Sequence, residues 1–347
     1  MTSKGTLDGK RVLVTGGTGS LGKAVVRRLL TGEMGTPERI TVFSRDEGKH
    51  HQMRVDFAHA RAATDEIAYH NFERLLEFRL GDVRDYAGVV EAVRNADIVV
   101  HAAALKQVPS CEYFSEEAVR TNIDGALNVV RACRQPGMSV ERAVAISTDK
   151  ACKPINVMGM TKAVQERVFV EANLHCDTVF SNVRYGNVVA SRGSVVPLFR
   201  EQIAAGGPVT ITTAEMTRFL ITLDGAVDVV FAALKGSRRG ETLVPRLPSV
   251  QMPDLAAVMI GARDVEVVYT GIRPGEKVHE IMVSDEESFR TVAYGDMYAI
   301  QPMLPEVQEV PVDVPALDKE YSSADSIVGT ERIRELLAAA GQLLDEG

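Results

Sequence analysis

The chain has 347 residues, a formal net charge of −8, 45% hydrophobic and 25% charged residues, which suits a globular protein of one or two domains with a large core. The acidic balance excludes a general nucleic-acid binder, which carries a basic surplus, although locally placed arginines still suit a phosphorylated ligand. No run approaches the roughly 18 apolar residues that cross a bilayer, and Met1–Leu7 lacks the apolar core of a secretory signal.

Arg11–Thr15 is a short apolar run ending in glycines, as expected of a buried parallel strand, and Leu21–Leu30 continues at helical spacing. Ile40–Phe43 reads as a second strand and Glu47–Ala60 as a polar-faced helix. His50 and His51 at its start are expected to be solvated, since no Cys, His or carboxylate cluster completes a metal site. Leu76–Leu80, Asp97–His101 and Ala143–Ser147 read as further strands, with helices near Tyr86–Asn95 and Glu116–Cys133. A long helix over Asn156–Leu174 and a strand over Thr178–Arg184 follow. Strands alternating with helices predict an α/β fold with a doubly wound parallel sheet.

After Gly186 glycines and prolines become denser and the elements shorter. That predicts residues 1–185 as a dinucleotide-binding domain and 186–347 as a smaller C-terminal lobe interleaved with the sheet. Gln301–Pro315, with four prolines, reads as an extended arm, and Glu331–Leu344 as an amphipathic helix. Cys111, Cys133, Cys152 and Cys176 form no CxxC pair and are expected to be reduced thiols of a cytoplasmic protein.

Thr15-Gly-Gly-Thr-Gly-Ser-Leu-Gly22 sits between the first strand and its helix. Gly16 permits a tight turn, Gly19 lets backbone approach a pyrophosphate, and Gly22 allows helix to pack on strand. Thr18, Ser20 and Leu21 complete this Rossmann cradle, and the helix N-terminus faces the phosphates. An acidic residue at the end of the second strand would favour a free 2′-hydroxyl. Here Phe43-Ser44-Arg45-Asp46 offers Ser44 and Arg45 to a 2′-phosphate while Asp46 pulls the other way, so NADP is expected over NAD. Asp82 and Val83 are placed beside the adenine, and Ala102, Ala103 and Ala104 along the cofactor, although tight packing alone also explains the alanines.

Ser147-Thr148-Asp149-Lys150 ends the fifth strand, where open α/β sheets place their chemistry. Twelve residues on comes Lys162, with Met158 four residues before it on the same helix face. The pattern resembles the extended short-chain dehydrogenases, in which that helix carries Tyr-x-x-x-Lys and the lysine holds the nicotinamide ribose. Here the tyrosine is Met158, which carries no proton.

The combined motifs resemble the UDP-N-acetylglucosamine 4,6-dehydratase (inverting) family, and within it the capsule and O-antigen branch, where Met-x-x-x-Lys replaces the tyrosine motif. The matching stretches are Thr15–Gly22, Phe43–Glu47, Gly81–Asp85, His101–Pro109, Ser147–Lys150, Arg184–Val188, Ala190–Ser194, Met216–Phe219 and Arg273–Lys277. This resemblance implies that hydride leaves C4 of UDP-N-acetylglucosamine, Lys150 removes the C5 proton, and Asp149 protonates the departing C6 hydroxyl. The hydride then returns to C6, and reprotonation of C5 from the opposite face gives the L-configured 4-keto-6-deoxy sugar. Lys150 would need a lowered pKa from burial and nearby positive charge. With Met158 unable to take the C4 hydroxyl proton, Lys162 is expected to share that task with Thr148 and Asp149.

Arg218 and Arg273 are expected to clamp the diphosphate bidentately. Asn187, Ser191 and Arg192 follow the sixth strand as further substrate contacts, Glu276 accepts from the ribose and Lys106 reaches the sugar. Surface salt bridges are the competing explanation for each. A homo-oligomer without nucleic-acid partner, membrane span or metal completes the expectation. A UDP-sugar 4-epimerase and a catalytically inactive NADP-binding regulator remain as alternatives.

Overall fold

The computed structural model describes residues 5–59, 66–189, 191, 193–309, 311–312 and 314–343. The first half runs β1 (Arg11–Thr15), α1 (Ser20–Leu30), β2 (Arg39–Ser44), α2 (Glu47–His59), α3 (Glu66–Leu75), β3 (Leu76–Leu80), α4 (Tyr86–Val93) and β4 (Ile98–His101). It continues through α5 (Val108–Tyr113), α6 (Ser115–Ala118), a π-helical turn (Val119–Asp124), α7 (Gly125–Cys133) and β5 (Arg142–Ile146). A 3₁₀ turn (Asp149–Ala151), α8 (Val157–Ala172) and β6 (Val179–Val183) complete it.

These strands form one sheet in the order β3-β2-β1-β4-β5-β6, all neighbours parallel. Alternation of side chains across each strand splits the core into two layers. Val12 and Val14 on β1, Val100 on β4 and Val144 on β5 pack with α1 and the later helix α10 (Leu223–Gly236). Leu13, Val99, Ala143 and Phe180 face α4, α7 and α8 on the other side. The fold is therefore a doubly wound α/β sheet. Its strand order reverses between β1 and β4, where Thr15 pairs with His101, and such a switch point opens a ligand crevice at the carboxyl ends.

The second half adds β7 (Asn187–Val188), α9 (Val195–Ala204), β8 (Val209–Ile211), β9 (Thr217–Ile221), α10, β10 (Thr242–Pro245), β11 (Ser249–Gln251) and α11 (Met252–Ile260). Then come β12 (Val267–Tyr269), β13 (Ile281–Val283), α12 (Asp285–Ser288), β14 (Thr291–Tyr294), β15 (Met297–Ile300), β16 (Tyr321–Ser322) and α13 (Thr330–Ala339). β10 joins the large sheet parallel to β6, and β15 and β14 extend it antiparallel. Three small sheets, β11-β9-β7, β12-β8 and β13-β16, stand over the carboxyl edge.

Several expectations needed correction. The helix expected near Glu116–Cys133 is present from Ser115 to Cys133 through α6, the π turn and α7, and within the π turn the Asn122 side chain bonds the backbone of Leu105 and the Thr161 hydroxyl. The helix expected to begin at Asn156 begins at Val157, with Asn156 as its cap accepting from the Gly159 N–H at 2.8 Å. α13 stops at Ala339, and the end of the expected helix at Leu344 lies outside the described residues, as does Ala60. The described part of Gln301–Pro315 carries neither helix nor strand.

Candidate active site

The carboxyl edge of the sheet opens into a cleft of about 1090 Å³ that runs from the glycine turn to the small sheets of the second half. Gly16 has φ +66°, and a Cβ there would lie 2.6 Å from the Ala103 nitrogen. A Cβ on Gly22 would lie 2.5 Å from the Gly16 oxygen, so α1 can sit against the turn only without one. Gly19 precedes α1 without a side-chain capping bond, and the first N–H groups of the helix therefore offer themselves, with the positive end of its dipole, to an anion. Thr18, Ser20 and Leu21 line the cleft beside them. This cradle fits a dinucleotide pyrophosphate.

At the end of β2, the Ser44 hydroxyl lies 3.0 Å from the Thr18 hydroxyl and 2.6 Å from His50 Nε2. His50 is thus not solvated as expected: it is buried, tilted against Phe78 at 5.5 Å, and burial lowers its pKa. His51 is exposed. Arg45 stands 3.6 Å from Asp82, which also takes the Arg84 guanidinium at 2.7 Å. Asp46 is engaged by Lys49 at 2.7 Å. Lys49 and Gln52 also line this end of the cleft, and the sequence reading missed both. Val83 and Ala102–Ala104 line the cleft wall.

The turn expected to bear the chemistry follows β5. Thr148 donates its hydroxyl to Asp149 Oδ1 at 2.8 Å, and Lys150 Nζ donates to the same oxygen at 2.9 Å and to Asn187 Oδ1 at 3.2 Å. Glu280 Oε1 stands 3.5 Å from Lys150 Nζ. Thr148, Lys150 and Glu280 line the cleft, whereas Asp149 is fully buried behind them and is not among the lining residues. The pKa of Lys150 was expected to be lowered. Burial does act in that direction, but the charges of Asp149 and Glu280 outweigh it and the net shift is upward, so the resting side chain is an ammonium.

Lys162 behaves oppositely. It is buried, donates to the Ile146 carbonyl and to Gln165 Oε1 at 2.9 Å each, and burial lowers its pKa to about 8 against the pull of Glu166. Met158 is buried against Cys111 and Ala118 and lines the cleft beside it. Ser147 also lines the cleft and donates its hydroxyl to Glu166 Oε1 at 2.5 Å.

Opposite stand the residues expected to hold substrate. Arg218 is buried, and its Nη1 donates to the carbonyls of Thr217 at 2.7 Å and Val278 at 3.1 Å. Arg273 lines the cleft with its side chain exposed, and Glu276 accepts from the Thr212 hydroxyl at 3.3 Å. Asn187, Ser191 and Lys106 line it too. Arg192 and Ala190 lie outside the described residues. Glu280 was not foreseen: it stands three residues beyond Arg273–Lys277, and a lone carboxylate carries no spacing signal. Among the described residues no His, Cys, Asp or Glu cluster suits a metal ion, no helix is long and apolar enough to cross a membrane, and the four cysteines are free.

A family model described as "Polysaccharide biosynthesis protein" matches residues 12–302. A UDP-N-acetylglucosamine 4,6-dehydratase (inverting) from Campylobacter jejuni serotype O:23/36 is 41% identical over 86% of this chain and 84% of its own length. A UDP-glucose 4-epimerase from Rickettsia akari is 40% identical over 84% of this chain and 82% of its own. Among solved structures, Pen from Bacillus thuringiensis superposes with a TM-score of 0.85 at 33% identity, covering 97% of this chain and 99% of its own.

Proposed function

Because the chain belongs to the polysaccharide biosynthesis protein family, we propose that it acts as a UDP-N-acetylglucosamine 4,6-dehydratase that inverts C5. The observation that carries this reading is the single cleft in which the glycine cradle, Lys150 with its two carboxylates, and Arg218 and Arg273 face one another. Residues 1–185 hold the cofactor and residues 186–347 the nucleotide sugar. The product is a UDP-2-acetamido-2,6-dideoxy-hexos-4-ulose of L configuration for a surface glycan. The protein is cytoplasmic and a homo-oligomer.

The cofactor is NADP: Asp46 is turned to Lys49, and Ser44 and Arg45 line the cleft at the end of β2 to meet a 2′-phosphate. When bound it supplies a reversible hydride acceptor that is regenerated within one turnover. Gly16, Gly19, Gly22, Thr18 and the start of α1 hold its pyrophosphate. Asp82 and Val83 flank the adenine, and Lys162 holds the nicotinamide ribose. Arg218 and Arg273 hold the substrate diphosphate, with Lys106, Asn187, Ser191, Arg192 and Glu276 around the sugar and ribose.

Lys150 is the base for the C5 proton, which a neighbouring 4-ketone makes acidic. Thr148, bonded to Asp149, and Lys162, which titrates near neutrality, share the C4 hydroxyl proton that Met158 cannot take. An epimerase would use a proton carrier at 158 and would have no use for an acid and an amine that together expel water. Incubation with UDP-N-acetylglucosamine and NADP, read by mass spectrometry, is expected to give a product lighter by one water. An epimer of unchanged mass would favour the epimerase reading, and unchanged substrate the regulator.

A further inference from the structure

Loss of water from the sugar needs two proton movements at once: one away from C5 and one onto the departing C6 oxygen. Lys150 rests as an ammonium, so it must shed a proton before it can act as a base. The group that receives that proton is well placed to be the acid of the same step. Two carboxylates approach Lys150. Asp149 is fully buried with no surface on the cleft, and its Oδ1 already accepts from Thr148 and Lys150.

Glu280 differs in position. It lines the cleft and its Oε1 stands 3.5 Å from Lys150 Nζ, while its Oε2, like Asp149 Oδ2, is buried without a hydrogen-bond partner. Arg218 and Lys277 flank it at 4.0 and 3.9 Å. Its backbone is pinned from both sides, the N–H donating to Ser323 Oγ at 2.9 Å and the C=O accepting from the Ser323 N–H at 2.8 Å. A carboxylate buried with one oxygen unsatisfied is costly to keep and is retained where it serves the site.

We propose that Glu280 is the general acid of the dehydration: it takes a proton from Lys150 and gives it to the departing C6 oxygen. The inference rests on the dehydratase reading above, and assigns to Glu280 the acid role that the motif resemblance gave to Asp149. The step balances. Transfer from the ammonium leaves a neutral Lys150 amine and a protonated Glu280. The amine takes the C5 proton, the C5–H electron pair forms the C5–C6 double bond, and the C6–O bond breaks with its pair on oxygen. That oxygen takes the Glu280 proton and leaves as water, and the ammonium and carboxylate are restored. Asp149 only holds the lysine in this step, its Oδ1 accepting from Lys150 Nζ at 2.9 Å.

The test compares Glu280→Gln, Glu280→Asp and the unaltered protein, each loaded with NADP and given UDP-N-acetylglucosamine. Glu280→Gln keeps the shape but cannot carry the proton. Its water loss is expected to fall by about 10²–10⁴-fold, the usual contribution of a positioned acid. Oxidation at C4 persists, so reduced-nicotinamide absorbance builds up, and UDP still raises the melting temperature. Glu280→Asp, which retains a carboxyl, is expected to keep about a tenth or more of the water loss. Water loss by Glu280→Gln within about threefold of the unaltered rate would overturn the proposal. So would a Glu280→Asp that still binds UDP but is as inactive as Glu280→Gln, which keeps the test decisive if the glutamine variant fails to fold. Absence of water loss from the unaltered protein would instead strike the dehydratase reading itself.

Discussion

Lys162 and Lys150 lie in the same cleft and titrate in opposite directions. For Lys162 the folded pKa is about 8 against an ordinary 10.5. Between these values the unfolded chain binds a proton that the folded one does not, so stability rises with pH across that window and the full penalty is present below it. The penalty is about 3 kcal/mol at one pKa unit per 1.4 kcal/mol. Lys162→Met is therefore expected to raise the melting temperature at pH 7, because the Ile146 carbonyl keeps its bond from Gln165 at 3.0 Å. Turnover should be lost at the same time. A lower melting temperature in calorimetry would contradict this. Lys150, raised by its carboxylates, contributes stability that is present below its ordinary pKa and lost as pH climbs through the higher folded value. The sequence showed Asp149 beside Lys150. That neighbour is the larger of the two charges that raise the lysine, and Glu280, more than a hundred residues away, adds to it unseen; burial was given the greater weight, which led to the wrong direction.

At the scale of the element, β1, the glycine turn and α1 were legible almost to the residue, because turn chemistry and apolar periodicity there are local. The tight fit of helix on turn makes a sharp prediction. Gly22→Ala places a methyl 2.5 Å from the Gly16 oxygen, so it is expected to cost about 1–3 kcal/mol and to weaken NADP binding in a fluorescence titration. Gly48→Ala is the control: its Cβ would meet nothing nearer than Asp46 at 3.5 Å, and it should leave binding unchanged. Equal binding by both variants would mean that the turn does not hold the cofactor. The π turn at Val119–Asp124 was illegible for the opposite reason. Within it Asn122 reaches Leu105 and Thr161, contacts made by tertiary structure that no local spacing signals. β10 was missed likewise, as a four-residue strand whose partners β6 and β15 lie far off in sequence, whereas β14 and β15 form a local hairpin across Gly295-Asp296, a turn signal that went unread.

Across the whole molecule, one buried cluster ties the two halves together behind the cleft. Arg184 at the end of β6 bonds Glu166 on α8 at 2.6 Å and Glu287 on α12 at 2.7 Å. Ser147, next to the Thr148–Lys150 turn, joins it through Glu166. Burial would raise the Glu287 pKa, but Arg184 overrides it and holds it at about 2. A depressed carboxylate gives stability above its ordinary pKa of 4.5 that is lost as pH falls toward 2. Glu287→Ala should cost about 3–5 kcal/mol, as removal of one partner of a buried pair does. It should also flatten the acid limb of stability in urea titrations from pH 5 downward, and an unchanged limb would show that the cluster does not carry the acid sensitivity.

The central claim is that the hydride taken at C4 is returned at C6 while C5 exchanges its proton with the site. Turnover of UDP-N-acetylglucosamine in D2O, followed by NMR of the product, tests it directly. The account predicts a 4-keto-6-deoxy sugar that has lost one water, carries deuterium at C5 in the L configuration, and forms without net consumption of NADP. A sugar returned with all its oxygens and no deuterium at C5 would contradict it.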